Sequence, residues 1–487
     1  LLQEPNLASI LHFPNTTSYT ETITSYYAAN VQDIKPACIL KPLTTQHVSL
    51  AIRTLNRRGA RDMSIAIRSG GHAPSLASNN VADGVVIDLG GLDSVTFNLG
   101  NNNNKPGPPP PPPPPGSISG GGVVSIGAGA RWGHVYSVLE AQGVMVPGAR
   151  EGHVGVGGLL LGGGFSWYSG KVGMCADNVV AYEVVLAGGD VVVATAEGRY
   201  KDLFRALKGG LNNLGVVTRF DVKSFEARDV YGGIVVFPWA QRDVVAGRLV
   251  EMVERNGREK AEGGFLSLAW SPGTGMPPNV VLISANVDGD ANSTSFRDLG
   301  ALGPLVDLRG SMPLSALTSQ IAGALGLYNV WYTLSFHNTL DMAAKVTSVF
   351  GALVADLEGL QIDEAVQVIF VLTPLPKGYG SRENILGLEK MARNSLVLQT
   401  EIILPTARYQ ALLKEKLRAA TDEIEAYAKA TGQDTPFRYV NYANPEQNPL
   451  GSYGRENSKF LARTAKKVDP EGFFQDKVVG TFKLAGL

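Results

Sequence analysis

The chain has 487 residues, enough for two or three domains around a substantial apolar core. Its 43 Lys and Arg against 44 Asp and Glu give a net charge of −1, so no overall field favours nucleic acid or an anionic membrane as a partner. Hydrophobic residues at 44% and charged residues at 18% indicate a globular chain, and no apolar run reaches the ~20 residues of a membrane helix.

Taken in chain order, the opening Leu1-Leu2-Gln3-Glu4 has no initiator methionine, basic stretch or apolar leader, the expectation for a mature, secreted chain. Asn15-Thr16-Thr17 and Asn292-Ser293-Thr294 are glycosylation acceptors on such a route. Only two cysteines occur, Cys38 and Cys175, too few for a disulfide scaffold or a Cys-rich zinc site but enough for one bridge. A helix is expected at about 46–58. The strand Met63–Ala66 then leads into Ile67-Arg68-Ser69-Gly70-Gly71-His72. Consecutive glycines after a strand can turn their N–H groups into a nest for phosphate, with His72 at its rim; a tight turn with a surface histidine is the plainer reading. Residues 101–117, four asparagines and a proline tract, can only be polyproline II or irregular. They decorate a loop between the strand patterns at 85–89 and 123–129, or offer a ligand to proline-reading domains.

A helix at about 131–142 precedes the richest glycine cluster, Pro147 to Gly164. Gly155-x-Gly157 resembles a dinucleotide fingerprint, but further glycines follow at once where that motif needs a long helix. A regular helix over 155–164 would carry six glycines at up to ~1 kcal/mol each, so an extended, turn-rich strip is expected instead. A third strip, Lys208 to Thr218, completes a set that suits a long ligand in a groove. From about 223 to 430, strands alternate with amphipathic stretches at 339–358 and 406–430, a second domain of sheet plus helices. The residues after 430 return to a Tyr/Asn/Gly-rich texture.

These segments carry a family resemblance. RSGGH at 68–72, G-x-G-A-x-W-G-x-V-Y from Gly127 to Tyr136, VGVGG-x-x-x-GGG at 154–164, DNVVAYEVVLAGGD at 177–190, the strip at 209–218 and YVNY at 439–442 together resemble the berberine-bridge-enzyme-like group of FAD-linked oxidases, in their fungal secreted form. The resemblance implies an α+β, two-domain fold of the PCMH type. Residues 1–222 and the return at 431–487 would form the FAD-binding domain, and 223–430 a substrate domain of antiparallel sheet covered by helices. It implies covalent attachment of FAD to His72. Relatives often add a second link to a Cys three residues before VGVGG; Glu151 stands there, so attachment through His72 alone is expected, and Cys38 is expected to pair with Cys175. Around the cofactor the resemblance places Arg68, Ser69, Gly70, Gly71 and Ser75 from the first strip. Gly148, Val154, Gly155, Gly157, Gly158, Gly162 and Gly163 follow from the second, and Asn178, Val217, Tyr439 and Asn441 from later strands and the return. A small Val154 accompanies use of dioxygen in relatives.

Tyr442 matches the position that serves as base in relatives, and an ordinary tyrosine would need cationic or hydrogen-bond help in that role. Tyr439 reads as a core aromatic. The strand pattern Asn329–His337 puts Trp331, Thr333, Ser335 and His337 on one face, and Ser395–Leu404 does the same for Gln399 and Glu401; these polar groups meet substrate or solvent. With six scattered histidines, no metal site is expected. The sequence thus leads to an FAD-dependent oxidase that takes hydride from an alcohol or amine carbon of a small organic or sugar substrate and passes electrons to dioxygen. A flavin dehydrogenase or oxidative cyclase, and a flavin-binding protein without turnover, are the alternatives.

Overall fold

The structure, a computed structural model, describes residues 1–57, 63–99, 122–360, 362–381 and 383–485. The proline-rich segment 101–117 lies outside them; the strands on either side, Val95–Leu99 and Gly122–Gly127, pair antiparallel. Three large sheets organise the chain. A four-stranded sheet aligns Cys38–Leu40, Val85–Asp88 and Ile65–Arg68 in parallel, with Leu11–His12 antiparallel at its edge. A five-stranded antiparallel sheet sets Val216–Lys223 between Gly122–Gly127 and Val179–Val185. The remaining sheet has nine strands, from Val230–Pro238 through Ser395–Leu404 and Tyr328–His337 to Asp434–Thr435.

Local chemistry explains the helices. In Thr45–Leu55, the Thr44 side chain accepts from the His47 N–H, and Val48, Ala51, Ile52 and Leu55 recur at helical spacing on the buried side. Leu340–Glu358 starts the same way, with Thr339 accepting from the Met342 N–H and Asp341 in the first turn. Its buried row Met342, Val346, Phe350, Leu353 and Leu357 packs on the nine-stranded sheet together with Leu417 and Ile424 of Gln410–Ala430. No helix among the described residues is long and apolar enough to cross a membrane.

The two-residue period of Tyr328–His337 then decides what each side chain meets. Val330, Tyr332, Leu334 and Phe336 enter the core under the helices. Trp331 joins an aromatic cluster with Tyr26 and Tyr27 of the N-terminal segment. On the neighbouring strand Leu396, Leu398 and Ile402 face the helices, whereas Val397 belongs to the core of the N-terminal half. The sheet is therefore a roof, with helices above and the glycine strips below.

One expectation needs correction here. Val156–Leu161 is a short α-helix, not an extended strip. Gly155 and Gly162 cap its ends, so only Gly157 and Gly158 carry the helix penalty, while Gly163 and Gly164 turn away at φ +107° and +82°.

Candidate active site

The site begins at the turn after Ile65–Arg68. Arg68 lies opposite Asp88 in the parallel pair. Its guanidinium is 3% exposed, donates to Asp88 Oδ2 at 3.3 Å, the Thr22 carbonyl at 3.0 Å and Ser25 Oγ at 2.6 Å, and lies over the Tyr26 ring. Arg68, expected to touch the cofactor, instead fixes the turn from behind. Gly71 takes φ +71°, a conformation that favours glycine. Gly70 and Gly155 touch through their backbones: a Cβ on Gly155 would stand 2.3 Å from the Gly70 nitrogen, and one on Gly70 would stand 2.5 Å from the Gly155 Cα. Ser69 Oγ ties the two strips by donating to the Ala128 carbonyl at 2.6 Å and accepting from the Gly157 N–H at 3.1 Å.

This arrangement fits a dinucleotide. The N–H groups of Gly70, Gly71 and His72 donate to no protein acceptor among the described residues, so three successive donors are free for diphosphate oxygens. Beside them Gly158 has no atom within 4 Å of where a Cβ would lie, the open space a ligand needs. The residues present suit FAD.

Beyond the turn, contacts close into a ring. The His72 imidazole stacks on Tyr27 with centroids 4.0 Å apart, and its Nε2 lies 3.4 Å from Glu151 Oε2. Next along the chain, Arg150 Nη2 donates to Tyr442 Oη at 2.6 Å and reaches Thr373 Oγ1 at 3.3 Å, its guanidinium lying over Phe265. Tyr442 stands edge-on to Trp331, and Trp331 returns to Tyr27, at centroid distances of 6.3 and 6.0 Å. Tyr442 thus has the cationic partner that a proton-accepting tyrosine requires, supplied by a residue not singled out from sequence.

The roof contributes Glu401. Its Oε1 accepts from Trp331 Nε1 at 2.5 Å and its Oε2 accepts from Gln399 Nε2 at 3.2 Å. Burial pushes this carboxyl up to about 7, against the lowering effect of the Trp331 hydrogen bond. Glu151 behaves oppositely. Burial alone would raise it, but contact with His72 and the backbone N–H of His153, with the His153 side chain nearby, together hold it below the usual carboxylate range.

Other expected residues fall into two groups. Near the ring, Asn441 donates to Tyr439 Oη at 3.0 Å and closes against Gly162, where a Cβ would clash at 2.1 Å. Tyr439 is a core aromatic between Phe165 and Tyr442, its hydroxyl pushed above the ordinary value by burial. Val154 packs against the N-terminal core, its N–H held by Glu151 at 3.1 Å. Gly148 lies against the Trp132 ring, which would meet a Cβ at 2.1 Å, and Ser75 accepts from Ser78 in the loop after His72. Gly163 faces Leu386 and Met174.

The second group has structural work. Asn178 donates to the Val172 and Met174 carbonyls, and Val217 is buried in the five-stranded sheet. Thr333 donates to the Leu398 carbonyl, Ser335 is buried beside Thr435, and His337 sits at the strand end, where burial and Arg393 push it below its ordinary value. Of the five expected substrate residues, only Gln399 and Glu401 reach the ring. Cys38 and Cys175 are both buried and both free, which corrects the expected pairing: Cys38 belongs to the four-stranded sheet, whereas Cys175 packs under Gly164. Asn15 and Asn292 are exposed.

Comparison with known proteins agrees with this architecture. Residues 36–195 match the FAD binding domain family. An FAD-dependent monooxygenase of Emericella nidulans is 30% identical over 486 residues, covering 98% of this chain and 96% of the relative. Among solved structures, 6-hydroxy-D-nicotine oxidase from Arthrobacter nicotinovorans superposes with a TM-score of 0.73 at 20% identity, covering 96% of this chain and 97% of that one. A berberine-bridge-enzyme-like protein of Physcomitrella patens superposes at 0.72 with 19% identity, covering 97% of both chains. With its glycine cradle, its roofed ring of site residues and a relative matched along almost the whole length, the chain belongs to the family of FAD-dependent oxidoreductases that includes the Emericella monooxygenase, and it has the fold of berberine-bridge-enzyme-like proteins.

Proposed function

We propose that the chain is an FAD-dependent oxidase that removes hydride from an alcohol or amine carbon of a small organic or sugar molecule, with the flavin attached to His72 and dioxygen as acceptor. The observation that carries this reading is the Arg150–Tyr442 hydrogen bond within the closed ring. It sets a phenol oxygen beside a fixed cation, where negative charge forming as that oxygen accepts a proton is stabilised. Bound FAD supplies the two-electron acceptor for the substrate hydride. Tyr442 takes the proton from the substrate hydroxyl or amine, and Arg150 holds Tyr442 in place through the same contact. Glu401, near neutrality and fixed by Trp331 and Gln399, hydrogen-bonds the substrate from the roof. Trp331 and Tyr27 close the side of the ring against water. Val154, beside the cradle, leaves dioxygen a path.

The test is anaerobic mixing with a panel of alcohols, amines and sugars while flavin bleaching is followed, then readmission of air with a peroxide assay. Stoichiometric peroxide supports the oxidase. Bleaching without peroxide on reoxidation would favour a dehydrogenase, and no bleaching with any donor would favour a binding protein. The name of the Emericella relative favours one further reading, oxygen insertion. Labelled dioxygen appearing in the product instead of in peroxide would establish it. We also place the protein outside the cell, with Asn15 and Asn292 as glycan acceptors; a glycosidase-dependent mobility shift of the exported protein tests that.

A further inference from the structure

Glu151 takes no part in the oxidation chemistry above. Its surroundings are specific. Oε2 accepts from the backbone N–H groups of His153 at 3.0 Å and Val154 at 3.1 Å, which fixes the carboxylate, and the same oxygen faces His72 Nε2 at 3.4 Å. On its other side His72 is stacked on Tyr27, whose N–H donates to the Gly71 carbonyl at 3.0 Å. The imidazole is therefore held in both plane and rotation, with one nitrogen addressed by a carboxylate and the other, Nδ1, free of protein partners among the described residues.

We propose that Glu151 is the residue that prepares His72 for attachment to the flavin. The inference rests on the proposed linkage at His72. By accepting from Nε2–H, Glu151 selects the tautomer whose lone pair is on Nδ1, and it receives the Nε2 proton as Nδ1 becomes bonded. The step balances with dioxygen as oxidant. One bond forms between Nδ1 and the flavin 8α carbon, one C–H bond of that methyl breaks, and the imidazole loses one proton. The two electrons released pass through the flavin to dioxygen, and with two protons they leave as hydrogen peroxide. The groups facing Glu151 are His72, His153, Arg131 and Tyr27.

The experiment uses the full-length protein produced without flavin, mixed aerobically with FAD. Covalent attachment is followed by acid precipitation and by intact mass, which rises by one FAD less two hydrogens. In Glu151→Gln, which retains an oxygen for the two backbone N–H groups, attachment is expected at least ~10-fold slower, while reversible FAD binding, read by flavin fluorescence quenching, stays at the wild-type level. Glu151→Asp, which restores a carboxylate, should recover part of the rate, which a merely structural role would not require. Attachment in Glu151→Gln at the wild-type rate would overturn the role of Glu151 alone. Wild-type protein that releases all its flavin into acid would overturn both the linkage at His72 and this role.

Discussion

Replacing Glu401 by Gln should change how stability depends on pH. The carboxyl is 7% exposed, and burial raises it to about 7 from an ordinary 4.5. Because the folded value is raised, the protonated form is favoured by folding. The stability tied to it is fully present below about 4.5 and is lost as pH rises through 7. The whole difference amounts to about 3 kcal/mol, most of it falling between pH 5 and pH 8. Glu401→Gln keeps an oxygen for Trp331 Nε1 and a polar partner for Gln399, yet cannot ionise. Urea unfolding of both proteins, loaded with FAD, should show the variant gaining about 2–3 kcal/mol on the wild type between pH 5 and pH 8. A difference that stays flat over this interval would refute the reasoning. It would mean that Glu401 is ionised in the folded protein throughout.

Arg150→Ala removes the cation from Tyr442 and should slow flavin reduction by about 10²–10⁴, as should Tyr442→Phe, without loss of bound flavin; stopped-flow absorbance reads this. Gly155→Ala would place a Cβ 2.3 Å from the Gly70 nitrogen, and about 1–3 kcal/mol of stability should be lost with it. Gly158→Ala meets no atom within 4 Å and replaces a helical glycine, so the flavin-free protein should be stabilised by up to ~1 kcal/mol while FAD retention falls. Both show in melting curves with and without FAD. Since Cys38 and Cys175 are free and buried, a thiol reagent should label neither in the native protein and both after unfolding without reductant.

What the sequence made legible was local. The turn at Gly70-Gly71, the glycine strips and the two-residue period that sets Trp331, Gln399 and Glu401 on the inner face all follow from neighbours in the chain. The helix Val156–Leu161 was missed because its flanking glycines act as caps and turns, which a residue count charges against the helix. The ring itself was out of reach: Arg150 meets Tyr442 across 292 positions and Trp331 meets Glu401 across 70. Such pairs depend on how sheets stack, and periodicity carries no information about that. Glu151 could be noticed as a departure from the cysteine of relatives, but its contact with His72 could not. The cysteines show the converse error, a pairing inferred from number and resemblance where both thiols are free and buried, Cys38 in the four-stranded sheet and Cys175 in the short 3-10 turn Cys175–Asn178.

The most direct test of the account is where the yellow colour goes when purified protein is precipitated with acid. Flavin that stays in the wild-type pellet and moves to the supernatant in His72→Ala is the predicted result. Flavin released from the wild type, or retained in the pellet of His72→Ala, would contradict it.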